Sequence, residues 1–227
     1  GTLTRGALRW NYTALLPDVY IQKDARIDIW ARAKAAWLWT GRRGVIAGRT
    51  AAALIGVKPI DDRAPVEIIA SPRRVQRGFV VRNERIGSDE IDTDVRPPRT
   101  NAARTALDIA RRLPLDQAVV VLDQLAAIYA LTPADVKPLE DRHQGARGMW
   151  SAYKAIALMD GGSRSPEESL LRLALIDGGL PRPQTSIEIG DESWSYIIAM
   201  GWPDARVAVE WGPHRRSLVQ DIDLRDL

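Results

Sequence analysis

The chain has 227 residues, enough for one large domain or two small ones, and its 45% hydrophobic and 27% charged content is typical of globular proteins. It contains no cysteine and only two histidines, which excludes disulfides, thiolate metal sites and a histidine-rich zinc site. No apolar run reaches the roughly 18–20 residues of a membrane span, and the N-terminus has no signal-peptide core, so we expect a cytoplasmic protein that does not enter a membrane.

The charge is distributed unevenly along the chain. Residues 1–150 hold 24 Lys and Arg against 17 Asp and Glu, whereas residues 151–227 hold 8 against 12, giving net charges of +7 and −4. Arginine dominates the basic set, and its planar guanidinium can bind phosphate in a bidentate manner. This asymmetry suits a DNA-binding part followed by an acidic active site. A solvated basic surface without a partner fits the charge distribution equally well.

The first elements along the chain are a short helix and a β-ribbon. Residues 4–12 predict a helix with Arg5 and Arg9 on one side, and residues 14–21 predict a strand approached through a Pro-Asp turn. A helix followed directly by a β-ribbon is typical of the second half of a winged helix-turn-helix. We therefore assign residues 1–22 to a partial winged-helix-like segment and expect Arg5 and Arg9 to contact DNA.

Residues 23–145 alternate between helical and strand patterns and predict an α+β module. Helices are expected over 24–40, 48–54, 101–112 and 115–130, with Thr100 as N-cap of the third, and strands over 65–70 and 78–82. The loop between these strands carries Arg73, Arg74 and Arg77, which either bind phosphate or are simply solvated.

The C-terminal third, residues 146–227, begins after a predicted seam within 142–163. Ser165 and Pro166 open a helix that carries Glu168 in its first turn. Strands over 184–189, 193–200 and 206–210 follow, and Glu210 ends the last of them. A helix-borne acid and a strand-ending acid can converge on one Mg²⁺ ion. Glu168 can also be explained by the helix macrodipole, and Glu210 by pairing with Arg215 or Arg216.

Two groups of motifs resemble known families. The segments SPEESLLRLALIDGGLPRPQ, GWPDARVAVEWGPHRRS and QDIDLRDL resemble the Vsr-like endonuclease-related proteins of mycobacteria and other actinobacteria, within the PD-(D/E)XK nuclease superfamily. The upstream segments LTRGALRW, LLPDVYI, GVIAGRTAAALIGV, PVEIIA and RTALDIARRL resemble an AbiEi-type antitoxin module. The resemblance implies a restriction-endonuclease-like mixed-sheet domain at the C-terminus, truncated because the family continues with another strand and helix.

The nuclease resemblance also implies site residues. Glu168 matches the helix acid of the family and Glu210 its strand glutamate, and both are expected to bind Mg²⁺ or Mn²⁺. His214 matches the histidine that follows. Asp221 and Arg225 match polar positions that support the site, and Arg215 and Arg216 are expected to contact DNA. Ala199 occupies the position of the principal metal-binding aspartate, and a second acid is missing after Glu210, so metal affinity and cleavage are expected to be severely reduced.

Three explanations of Ala199 remain open: a natural pseudo-nuclease, an inactivating substitution, or a chain that lacks residues near 211–213. The leading functional hypothesis is a metal-dependent endonuclease-like protein acting on double-stranded DNA and impaired at Ala199. The alternative is a non-enzymatic DNA-binding regulator or antitoxin, acting as a homodimer or with a toxin partner. A protein-interaction module without a nucleic-acid role is the third hypothesis.

Overall fold

The computed structural model describes residues 4–59, 61–71, 76–190 and 193–212, without the Arg5 side chain. The helices are α1 Arg5–Asn11, α2 Ile29–Trp39, α3 Gly48–Ile55, α4 Ala102–Arg112, α5 Leu115–Tyr129, α6 Pro133–Arg142, α7 Met149–Ala157 and α8 Pro166–Asp177. The strands are β1 Tyr12–Leu16, β2 Val19–Gln22, β3 Val45–Ile46, β4 Val66–Ile69, β5 Phe79–Arg82, β6 Ile91–Asp92, β7 Arg99–Thr100, β8 Gln184–Gly190, β9 Ser195–Trp202 and β10 Val207–Val209. The predicted mixed α+β class is confirmed.

The N-terminal segment is a helix followed by a β-hairpin. Thr4 caps α1 by accepting a hydrogen bond from the Ala7 backbone N–H. The predicted Pro-Asp turn is present, but it divides the strand segment predicted over 14–21 into β1 and β2. Asp18 adopts a φ of 62° there, a conformation that aspartate tolerates in turns. Apolar residues of this hairpin share a buried cluster with α2, α3 and β4.

The central sheet has five strands in the order β5-β4-β3-β7-β6 and mixes parallel with antiparallel pairs. Every residue of β4 is buried, as expected for a central strand covered on both faces. Helices α2 and α3 pack against this sheet, and α3 joins it to the helical part of the molecule.

Helices α4 to α7 surround a second buried cluster. Asn101, not Thr100, caps α4: its Oδ1 accepts the Arg104 N–H at 2.9 Å, while buried Thr100 bonds the Thr105 hydroxyl. Helix α6 was not predicted because Pro133 resembles a helix terminator, whereas in the structure it starts the helix inside a Thr132–Asp135 capping box. Helix α7, directly after the predicted boundary at 145, packs against α4 and α5.

Helix α8 and the antiparallel sheet β10-β9-β8 follow this helical part. Helix α8 packs against α5, and a buried ion pair joins Arg172 of α8 to Asp123 of α5 at 2.7 Å. Strand β8 is held by the Thr185 hydroxyl, which donates to Asp160 at 2.7 Å. No single helix within the described ranges is long and apolar enough to cross a membrane. Helices α5 and α6 taken together reach the length and composition of a span, but a bend of 117° separates them.

Candidate functional site

The hairpin β9–β10 brings Ala199 and Glu210 together. The register pairs Val209 with Met200, so the next residue along, Glu210, comes to lie beside Ala199 on the neighbouring strand. Ala199 donates its backbone N–H to Glu210 Oε1 at 2.8 Å. Ala199 is buried, with 3% exposure, whereas Glu210 is exposed. The eleven-residue spacing in the sequence therefore becomes a direct contact through the register of one hairpin.

Glu168 is engaged at the start of α8. Its backbone N–H donates to the Ser165 hydroxyl at 3.2 Å, and its Oε2 accepts the Arg164 backbone N–H at 2.7 Å. The first bond satisfies an N–H group that the first turn of a helix leaves without an internal partner, and the second ties the residue before the N-cap to the same turn. The local structure therefore accounts for Glu168 through helix capping. Its predicted role as a metal ligand stays a prediction.

Among the residues that the structure describes, the donors around Ala199 do not fit a bound Mg²⁺ or Mn²⁺. No group of three His, Asp or Glu side chains in the described ranges converges closely enough to hold a cation. The Ala199 methyl group cannot ligate, and one carboxylate oxygen of Glu210 accepts a backbone N–H. The remaining predicted residues, His214, Arg215, Arg216, Asp221 and Arg225, lie outside the described residues.

The predicted DNA-contacting arginines are only partly described. Arg9 in the last turn of α1 is exposed, and so is Arg77, just before β5. Arg73 and Arg74 lie outside the described residues, as does the Arg5 side chain. Their contribution to DNA binding stays a prediction.

A charged cluster at α4 was not anticipated from the sequence. Arg104 is fully buried and is ion-paired with Glu90, with Glu84 at 3.0 Å and with Asp108 at 3.2 Å. Arg112 contacts Glu84 at 2.6 Å and Asp108 at 2.8 Å. The sequence signal was present in the spacing of the α4 charges at intervals of three and four, which places them on one helix face.

The carboxylates of this cluster have shifted pKa values. Burial raises the pKa of Glu84, but Arg112 and the neighbouring arginines outweigh it and hold the pKa below its ordinary value. Burial likewise raises the pKa of Glu90, and hydrogen bonds from Arg104 and Arg142 reverse the effect and lower it. For fully buried Asp108, burial dominates and the pKa is raised. The cluster thus combines ionised carboxylates with one whose charged form is disfavoured.

Two concave regions accompany these features. An apolar cavity of about 450 Å³ lies between α2, α3, α5 and the start of α8. A second cavity of about 470 Å³ lies at the C-terminal end of α4, and its polar wall is formed by the side chains Arg82, Glu84, Arg111, Arg112 and Arg147. We call this second cavity, which connects the charged cluster to solvent, the arginine cavity.

Comparison with known proteins adds relatives but no function. The chain is 30% identical over 115 residues to uncharacterized proteins from two strains of Mycobacterium tuberculosis, a match covering 49% of this chain and 42% of each relative. The match therefore spans less than half the length of these relatives. No model of a protein family matches the chain, and no solved structure matches it significantly.

Proposed function

We propose that this chain is a DNA-binding protein whose C-terminal part is a Vsr-like, PD-(D/E)XK endonuclease arrangement impaired at position 199. The observation that carries the proposal is the contact between Ala199 N–H and Glu210 Oε1 at 2.8 Å. An aspartate at position 199 would stand beside Glu210 on an adjacent strand, which is where the resemblance requires two metal-binding acids. The winged-helix and AbiEi-type identities of the preceding segments belong to the same proposal.

The impairment has a physical cause. Alanine supplies no oxygen ligand, and Mg²⁺ requires oxygen donors in a near-octahedral arrangement. Without the ion, no Lewis acid polarises the phosphodiester and no bound water is activated. The chain as it stands is therefore expected to bind double-stranded DNA without cutting it.

The test is plasmid cleavage with Mg²⁺ or Mn²⁺ by the chain and by its Ala199→Asp variant. The matched control is Ala199→Asn, which has the same size without the charge. We expect cleavage only by the Asp variant, abolished by EDTA and by adding Glu210→Gln. Since position 199 is buried, the new carboxylate lacks a counter-charge, so Mg²⁺ should also raise the unfolding temperature of the Asp variant alone.

A second candidate function is a non-enzymatic DNA-binding regulator of the AbiEi type. It is favoured by the net charge of +7 in residues 1–150 and by the absence of a three-acid group among the residues that the structure describes. If the Asp variant fails to cut while both proteins bind DNA with steep salt dependence, this function replaces the first. If neither protein binds DNA, both proposals fail.

A further inference from the structure

The arginine cavity has an excess of cations over anions in its wall. Arg82, Arg111, Arg112 and Arg147 line it, against the one carboxylate of Glu84. That carboxylate is already shared, because Arg112 contacts it at 2.6 Å, Arg104 at 3.0 Å and Arg111 at 3.4 Å. A distributed carboxylate of this kind neutralises only part of the surrounding charge.

The deeper carboxylates reduce the excess of cations without cancelling it. The buried carboxylate of Glu67 pairs with Arg82, and Asp108 lies among Arg104, Arg111 and Arg112. Burial lowers the pKa of the Arg111 guanidinium, and the positive charges of Arg112 and Arg104 lower it further. The carboxylates of Glu84 and Asp108 raise it but do not offset these effects. This crowding of cations can be relieved by an anion at the cavity mouth.

Arg147 is the exposed member of the wall, and its backbone is fixed in place. Its carbonyl oxygen accepts the Arg111 Nε–H at 3.1 Å. The following residue, Gly148, has a φ of +86°, and a Cβ there would lie 2.2 Å from the Arg111 carbonyl oxygen. In the part of the chain that the structure describes, the Arg147 guanidinium pairs with no carboxylate and donates to no acceptor. The backbone thus places Arg147 in the cavity wall, and its guanidinium N–H groups are available to a ligand.

We infer that the arginine cavity binds a phosphate group, held by the Arg147 guanidinium together with Arg111 and Arg112. Guanidinium groups match the geometry of phosphate oxygens and bind them in a bidentate manner. The inference rests on the proposed function for its source: in a DNA-binding protein the phosphate belongs to the DNA backbone. Inorganic phosphate has the same chemistry, and the experiment distinguishes the two.

The experiment compares the wild-type chain with Arg147→Gln, Arg147→Lys and the control Arg63→Gln. Arg63 is exposed and outside the cavity wall, so the control removes the same charge elsewhere. DNA affinity is measured by fluorescence anisotropy over a range of salt concentrations, and phosphate binding by titration calorimetry with inorganic phosphate. Arg147→Gln should reduce the slope of log affinity against log salt by about 0.9, which corresponds to about an eightfold loss at 0.1 M salt. Arg147→Lys should recover part of the lost affinity, and the control should keep the wild-type slope.

The outcomes separate this inference from the proposed function. If DNA binds but Arg147→Gln and the control behave alike, and inorganic phosphate does not bind, the cavity is not a phosphate site and the proposed function stands. If DNA does not bind while inorganic phosphate binds the wild type and not Arg147→Gln, the proposed function fails and the cavity holds a free phosphate. Loss of DNA affinity in Arg147→Gln but not in the control supports both the phosphate site and the proposed function.

Discussion

Replacing Arg172 by Met tests the buried ion pair that holds α8 against the helical part. Arg172 and Asp123 are both fully buried, and their contact at 2.7 Å is supplemented by the Asp160 backbone N–H, which donates to Asp123 at 2.8 Å. The variant leaves a buried carboxylate without its counter-charge. Breaking such a pair from one side costs about 3–5 kcal/mol. For a chain of this length, with an m-value of about 2–3 kcal/mol/M, the urea midpoint should fall by about 1–2.5 M.

The matched control is Arg26→Met, which removes one partner of the exposed pair that Arg26 forms with Asp62 at 3.1 Å. Because both side chains of this pair are exposed to solvent, the control should leave the midpoint almost unchanged. The double variant Arg172→Met, Asp123→Leu removes both buried charges and should be more stable than Arg172→Met alone. The measurement is urea unfolding followed by circular dichroism.

The loss of unfolding free energy caused by Arg172→Met should also depend on pH. Burial raises the pKa of Asp123, and Arg172 opposes that effect, so the variant raises the pKa further. A carboxyl whose folded pKa lies above its unfolded value destabilises the fold when ionised, and this cost disappears as the pH falls through the folded pKa. The difference from wild type should therefore shrink as the pH falls from neutral towards the ordinary aspartate pKa of 3.8. A loss below about 1 kcal/mol, or a double variant no better than the single one, would refute the interpretation of the pair as desolvated and coupled.

Three further predictions concern the helical part and its charged cluster. Leu122→Ala should lower the free energy of unfolding by about 2–5 kcal/mol, because Leu122 is fully buried in the core and the change leaves a cavity; a loss like that of a surface variant would contradict this packing. Gly148→Ala should cost more than about 1–2 kcal/mol in urea unfolding, since φ is +86° and the new Cβ would meet the Arg111 carbonyl. Wild-type stability should fall as the pH drops below the ordinary carboxyl pKa of 4.5, because the folded pKa values of Glu84 and Glu90 are lowered and the unfolded chain binds more protons; Glu84→Gln should flatten this dependence in unfolding measurements across that range.

Local patterns determined the elements whose signals lie within a few residues. The helical periodicity of α2, α4, α5 and α8 predicted each of these helices, and the strand segments around Gly201–Asp204 predicted β9 and β10. The contact of Ala199 with Glu210 follows the same logic, since a hairpin register is fixed by its own turn. Conversely, α6 was missed because a proline before a helix and a proline that ends one look alike without the capping contacts.

Only the tertiary structure decided which charges meet. Glu84 and Glu90 precede Arg104 by 20 and 14 residues, and nothing in the local pattern places their carboxylates on α4. The arginine cavity likewise requires Arg82 of β5, the end of α4 and the segment before α7 to converge. Desolvation also depends on the packed surroundings, so the buried pair of Arg172 with Asp123 could not be distinguished by sequence from a solvated one. The local sequence determines which side chains a helix or strand presents. Burial and long-range pairing depend on how the elements pack, because the neighbouring elements set both the desolvation of a charge and its distance from other charges.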